Sequence, residues 1–94
     1  MERIARIEIM EEKLNAARAA LDAMELALEA YEAAREDLRE LESYLTGPDW
    51  RADLAADEAG LLPEGLRRGV LSEDGIYNLL EDDDELRERL KALL

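Results

Sequence analysis

A chain of 94 residues makes one small domain and buries only about 60–65% of the surface its unfolded form exposes, so any core is thin. Apolar residues reach 48%, but with one Trp, three Tyr and no Phe they are mainly Ala and Leu, which favour helix and add little buried area. Twenty-five acidic against twelve basic residues leave a net charge of −13, which repels nucleic-acid phosphates and anionic lipid headgroups and argues against both as partners.

The missing residue types narrow the chemistry further. Without Cys there are no disulfides, thiolate nucleophiles or zinc-thiolate sites. Without His the commonest general base and the commonest transition-metal ligand are both gone, and Ser-His-Asp, Cys-His and carboxylate-histidine di-iron sites cannot be assembled. No catalytic residue, cofactor or metal is expected. No run approaches the roughly 20 apolar residues of a membrane helix, and the N-terminus lacks a signal-peptide core, so a soluble cytoplasmic protein is expected. The acidity itself reads as ordinary solubility, or alternatively as a surface for a basic partner, including mimicry of nucleic-acid charge.

The first predicted element is one long amphipathic helix over 3–46, since no Gly or Pro interrupts the chain before Gly47. Ile7, Leu14, Leu21 and Leu28 recur every seven residues. Met10, Ala17, Met24, Tyr31, Leu38 and Leu45 do the same, offset by three, and the two rows together are a coiled-coil seam. Arg35 interrupts the first row, and the apolar spacing then shifts to Leu38, Leu41, Tyr44 and Leu45, which predicts a different neighbour for that end. A parallel row of Ala16, Ala20, Ala23, Ala27, Ala30 and Ala34 is either helix propensity alone or a close helix–helix contact. Such a helix is about 65 Å long. A hairpin from the remaining residues could clothe only about 30 Å of it, so Ile7, Met10, Leu14, Leu21, Met24 and Leu28 are the expected interaction surface, met by a second copy in a homodimer. A helix bent near residues 15–22 and packed on itself is the competing monomeric arrangement.

Gly47-Pro48 ends this helix and starts a short one over 48–59, with Asp49 in its first turn and Trp50, Leu54 and Leu61 as candidate core residues. Gly60 closes it. Residues 63–68 fit a single helical turn ended by Gly69. Ser72 then reads as an N-cap, Glu73 and Asp74 as acids favouring a positive helix end, and Leu71 with Ile76 as a hydrophobic staple. The helix that follows carries Ile76, Leu79, Leu80, Leu86, Leu90 and Leu93, but Asp83 falls on the same stripe. The run Asp82 to Glu85 is therefore expected to break it into helices over 73–81 and 84–93, with Asp82 or Asp83 as cap. That run has no EF-hand spacing, so helix capping is preferred to cation binding. Asp53 and Asp57, four apart on one face, need a nearby cation, and Arg68 is the candidate. Trp50, Tyr31, Tyr44 and Tyr77 are read as packing residues rather than ligand platforms.

Trp50, Asp53 and Asp57, then Leu62-Pro63, Leu66, and Arg68-Gly69-Val70-Leu71-Ser72-Glu73-Asp74 followed by Tyr77 and Leu79-Leu80, resemble a family of short acidic bacterial proteins catalogued only as a domain of unknown function. The resemblance spans nearly the whole chain. It implies an all-α, intracellular bacterial protein without a known cofactor or catalytic residue, while Asn78 stands where an acidic residue is implied. The combined expectation is a long helix with short helices packing back on its C-terminal half, in one domain over 1–94. The expected function is a homodimeric interaction or scaffold module with an unidentified protein partner. A regulator occupying a basic surface of another protein is the second reading and an enzyme the third.

Overall fold

The computed structural model describes residues 2–72 and 74–94. Among them there is no strand. Three α-helices follow in chain order, α1 (Arg3–Thr46), α2 (Pro48–Glu58) and α3 (Gly75–Leu93), with one 3₁₀ turn, Gly69–Leu71, between the last two. The contacts divide the chain into two compact units, Met1–Arg35 and Glu36–Leu94.

The first unit is helical throughout its described residues from Arg3 onward. Its start is fixed by Glu2, whose two carboxylate oxygens accept hydrogen bonds from the Ile4 and Ala5 N–H groups, each at 2.9 Å. Those donors have no partner inside the helix, and the two bonds hold the Glu2 carboxyl below its ordinary range, Ile4 contributing most. No residue of α1 is buried.

The second unit begins with the last turns of α1, whose Leu38, Leu41, Tyr44 and Leu45 are half-buried. The helix stops at Thr46 because Pro48 disfavours helical backbone at the residue before it, and Gly47 is extended there (φ −93°, ψ 177°). Pro48 sits in the first turn of α2, where its missing N–H costs nothing. At the far end, Gly60 takes φ 72°, Gly60 N–H bonds to the Asp57 carbonyl, and Leu61 N–H bonds to the Ala56 carbonyl, both at 3.0 Å. This pair of bonds is the Schellman closure expected of a glycine at that place. The expected helix over 48–59 is thus present to within one residue.

Leu61 does not join the core; it is 75% exposed. The helical turn expected over 63–68 is replaced by a turn closed by a single bond from Leu66 N–H to the Pro63 carbonyl, 3.2 Å. The 3₁₀ turn lies just beyond it. Leu71 and Ile76, 7% and 3% exposed, are the two buried apolar residues among those described, and they flank the corner between that turn and α3. The residues of the expected staple are therefore the centre of the core.

The two C-terminal helices expected over 73–81 and 84–93 are a single helix, α3. Asp82, Asp83 and Asp84 cap nothing. The aspartate that was to break the stripe is accommodated within the helix, because Arg87 one turn later reaches Asp83 Oδ2 at 3.2 Å and also pairs with Asp84. The Asp83 side chain is only 14% exposed, so this ion pair neutralises a carboxylate that already lies close to the packed face. Compensation by a neighbouring cation decided the matter over the cap preference of the acids.

Candidate interaction site

In the first unit the predicted seam is bare. Ile7, Met10, Leu14, Leu21, Met24 and Leu28 are between 46% and 61% exposed, and Ile4 and Leu26 are more exposed still. Ala16, Ala20, Ala23, Ala27 and Ala30 are exposed as well, while Tyr31 and Ala34 are half-buried. The seam residues share one helix face, since steps of three and four return to the same side of a 3.6-residue turn.

In the second unit the motif residues make ties within the fold. Trp50 is half-buried, and its indole Nε1–H donates to the Val70 carbonyl at 2.8 Å, which joins α2 to the 3₁₀ turn. Its polar edge is occupied, in keeping with a packing role. Asp57 pairs with Arg68, Oδ1 to Nε 2.9 Å, without an aligned hydrogen bond. The guanidinium also donates to the Leu62 carbonyl at 3.3 Å and to the Pro63 carbonyl. Arg68 therefore clamps the loop after α2, where the Pro63 carbonyl also accepts the Leu66 N–H that closes the turn.

Asp53 does not share this partner. Its Oδ2 accepts from the Tyr44 hydroxyl at 2.6 Å, a tie between the end of α1 and α2. This bond, with smaller contributions from desolvation and the charges of Asp53 and Asp49, pushes the Tyr44 hydroxyl up to about 12. Two carboxylates four residues apart thus avoid mutual repulsion by taking different partners.

Ser72 Oγ donates to the Gly69 carbonyl at 2.9 Å and accepts from Gly75 N–H at 3.1 Å. The capping atom is the expected one, but α3 starts at Gly75, and Asp74 occupies the N-cap position with no side-chain cap bond. Glu73 lies outside the described residues. Tyr77 is exposed, and its hydroxyl titrates above the ordinary range because Glu81, one turn on, accepts its hydrogen bond.

Two features escaped the sequence reading. Gly75 is a site of close backbone approach, since a β-carbon there would run into the Gly69 carbonyl oxygen and lie 2.7 Å from Ser72 Oγ. Leu79, Leu86, Leu90 and Leu93 share a helical stripe with the buried Ile76, yet all four are exposed. Leu79 joins Leu41, Val70 and Ile76 in lining an open apolar depression of the second unit.

Among the described residues no group of three or more carboxylates is placed to hold a metal ion, the Asp82 to Glu85 run included. No helix among them is long and apolar enough to cross a membrane. Comparison with curated proteins and with solved structures finds no match. The profile of a protein family described as a domain of unknown function, DUF4298, matches residues 7–92, which takes in both the seam and the motif, and the chain belongs to that family.

Proposed function

We propose that this protein is a non-catalytic interaction module that self-associates as a homodimer through the α1 face carrying Ile7, Met10, Leu14, Leu21, Met24 and Leu28. The observation behind this reading is that all six are exposed on one regular helix face. A contiguous apolar stripe of this kind marks an interaction surface in a water-soluble chain. Burying side chains of this type contributes about 1.5–3 kcal/mol each. Even partial burial on both chains is then comparable with the roughly 4–15 kcal/mol that association costs in lost freedom. The absence of Cys suits a reducing cytoplasm, and the absence of His and Cys leaves no ready nucleophile–base pair.

The test is light scattering behind a sizing column. The parent chain is expected at twice 10.6 kDa at micromolar concentration. Leu14→Glu with Leu21→Glu is expected to be monomeric, because a charge buried at each position opposes association. A parent chain that runs as a compact monomer overturns the reading.

The net charge of −13 favours a second reading, in which the chain occupies a basic surface of another protein. Salt separates the two. Association through the apolar seam persists at high ionic strength, whereas a charge-led complex weakens steeply.

A further inference from the structure

The seam has an order of sizes and a pattern of flanking charge that bear on how a second copy lies against it. Along the face the residues run Ile7, Met10, Leu14, Ala17, Leu21, Met24 and Leu28, so the one small side chain falls in the middle. In a parallel pair each residue meets its own copy, which sets Ala17 against the partner's Ala17 and leaves the centre underfilled. In an antiparallel pair the two rows of the seam face each other. Leu14 then sits on the partner's Ala17, Met10 on the partner's Leu21 and Ile7 on the partner's Met24, so that large fills small at the centre.

The edges of the seam agree. Glu11, Arg18, Glu25 and Glu32 line one edge, while Arg6, Lys13, Ala20 and Ala27 line the other. Parallel helices bring opposite edges together, placing Arg6 near the partner's Glu11 but Lys13 near the partner's Arg18, so attraction and repulsion offset. Antiparallel helices bring like edges together. With Leu14 on the partner's Ala17, Glu11 lies beside the partner's Arg18, twice by symmetry, and Lys13 and Arg6 face alanines. A shift by one heptad instead puts Glu11 beside the partner's Glu25 and Arg18 beside the partner's Arg18. Arg18 is free to reach across: its present partner, Asp22, is 3.8 Å away, and both side chains are more than 60% exposed. The acids also favour this arrangement, because residues 19–34 carry Asp22, Glu25, Glu29 and Glu32 with no base, and a parallel pair stacks that block on itself.

We propose that the occupant of the α1 face is a second copy of this chain lying antiparallel over residues 3–28, with Leu14 seated on the partner's Ala17 and Glu11 paired with the partner's Arg18. This rests on the self-association proposed above and gives it a direction and a register.

The chain has no native cysteine, so single cysteines can be spin-labelled without background. Glu8, Asn15, Asp22 and Glu29 are spaced by seven along a line beside the seam, all exposed, and their replacement by labelled Cys leaves the seam intact. In the proposed register each label and its copy are displaced along the axis by about 2 Å at residue 15, about 20 Å at 8 and at 22, and about 40 Å at 29, from a rise of 1.5 Å per residue. Pulsed dipolar spectroscopy on the four full-length variants is expected to show the shortest distance at Asn15→Cys and the longest at Glu29→Cys. Short and equal distances at all four positions overturn the antiparallel direction and leave self-association standing. A minimum at Asp22→Cys overturns the register. Absence of any interchain coupling, together with a mass of 10.6 kDa, overturns self-association itself.

Discussion

Met1–Arg35 and Glu36–Leu94 share a helix and differ in what that helix touches. In the second unit the apolar residues of α1, Leu38, Leu41, Tyr44 and Leu45, are half-buried, and one of them is tied to α2 by a hydrogen bond. In the first unit the apolar seam from Ile7 to Leu28 stands in solvent. Secondary structure therefore does not separate the two units; satisfaction of the apolar face does. A helix within a protein owes little of its stability to propensity and most of it to packing of its apolar stripe. Within their own unit, residues 3–35 lack the packing that the apolar residues of 36–46 have in theirs.

The largest expected effect sharpens this contrast from the side of the second unit. Trp50 is the biggest side chain available to a core whose two buried apolar residues are Leu71 and Ile76, and its N–H satisfies Val70. Trp50→Ala is expected to cost about 3 kcal/mol, the low end of large-aromatic truncations because the ring is only half-buried. Urea denaturation followed by far-ultraviolet circular dichroism measures it. Under the proposed self-association, sizing of the same variant is expected to match the parent, since the seam lies in the other unit. A loss below about 1 kcal/mol would place Trp50 outside the core and reopen the reading of its ring as a ligand platform.

A smaller effect is expected at Gly75. A β-carbon there meets the backbone oxygen of Gly69, which cannot swing aside as a side chain does, so the corner leading into α3 has to open. Gly75→Ala is expected to destabilise the second unit by about 1–3 kcal/mol, as overpacking does, although alanine is the better helix former. A stabilised variant would mean that the corner opens freely and that helix propensity governs the position.

These residues also show how far the sequence could be read. The shared face of Ile7 to Leu28, the stop at Gly47-Pro48, the Gly60 closure and the burial of Leu71 and Ile76 were legible because each depends on spacing or on one residue's backbone preference. The pairing of Arg68 with Asp57 was legible as charge complementarity, but the division of labour with Asp53 was not, because Tyr44 comes from a different helix. Asp83 misled because cap preference is a property of the residue alone, whereas the Arg87 that keeps it in the helix acts from the next turn. Gly75 gave no sign, since the oxygen that requires a glycine belongs to a turn six residues earlier. The exposure of the α3 leucines was not legible, because helical spacing identifies a shared face without saying whether anything covers it.

The smallest effect concerns the bond that joins the end of α1 to α2. Tyr44 ionises at about 12 in the folded chain because its neutral hydroxyl is held by the Asp53 carboxylate, whereas an unfolded tyrosine ionises near 10. A raised folded value means that the folded state keeps its proton after the unfolded state has lost it. The contribution of this bond is therefore complete below pH 10 and declines as pH rises from 10 through 12. Tyr77 titrates upward too, through Glu81, so the slope for the whole chain is not specific. The difference between the parent and Tyr44→Phe isolates it. Melting temperatures of the two are expected to be separated by a constant amount below pH 10 and to converge above it, while tyrosinate absorbance shows one late-titrating group lost in the variant. A separation that persists unchanged to pH 12 would mean that Tyr44 holds the end of α1 by packing, and that its bond to Asp53 adds nothing to the distinction between the two units.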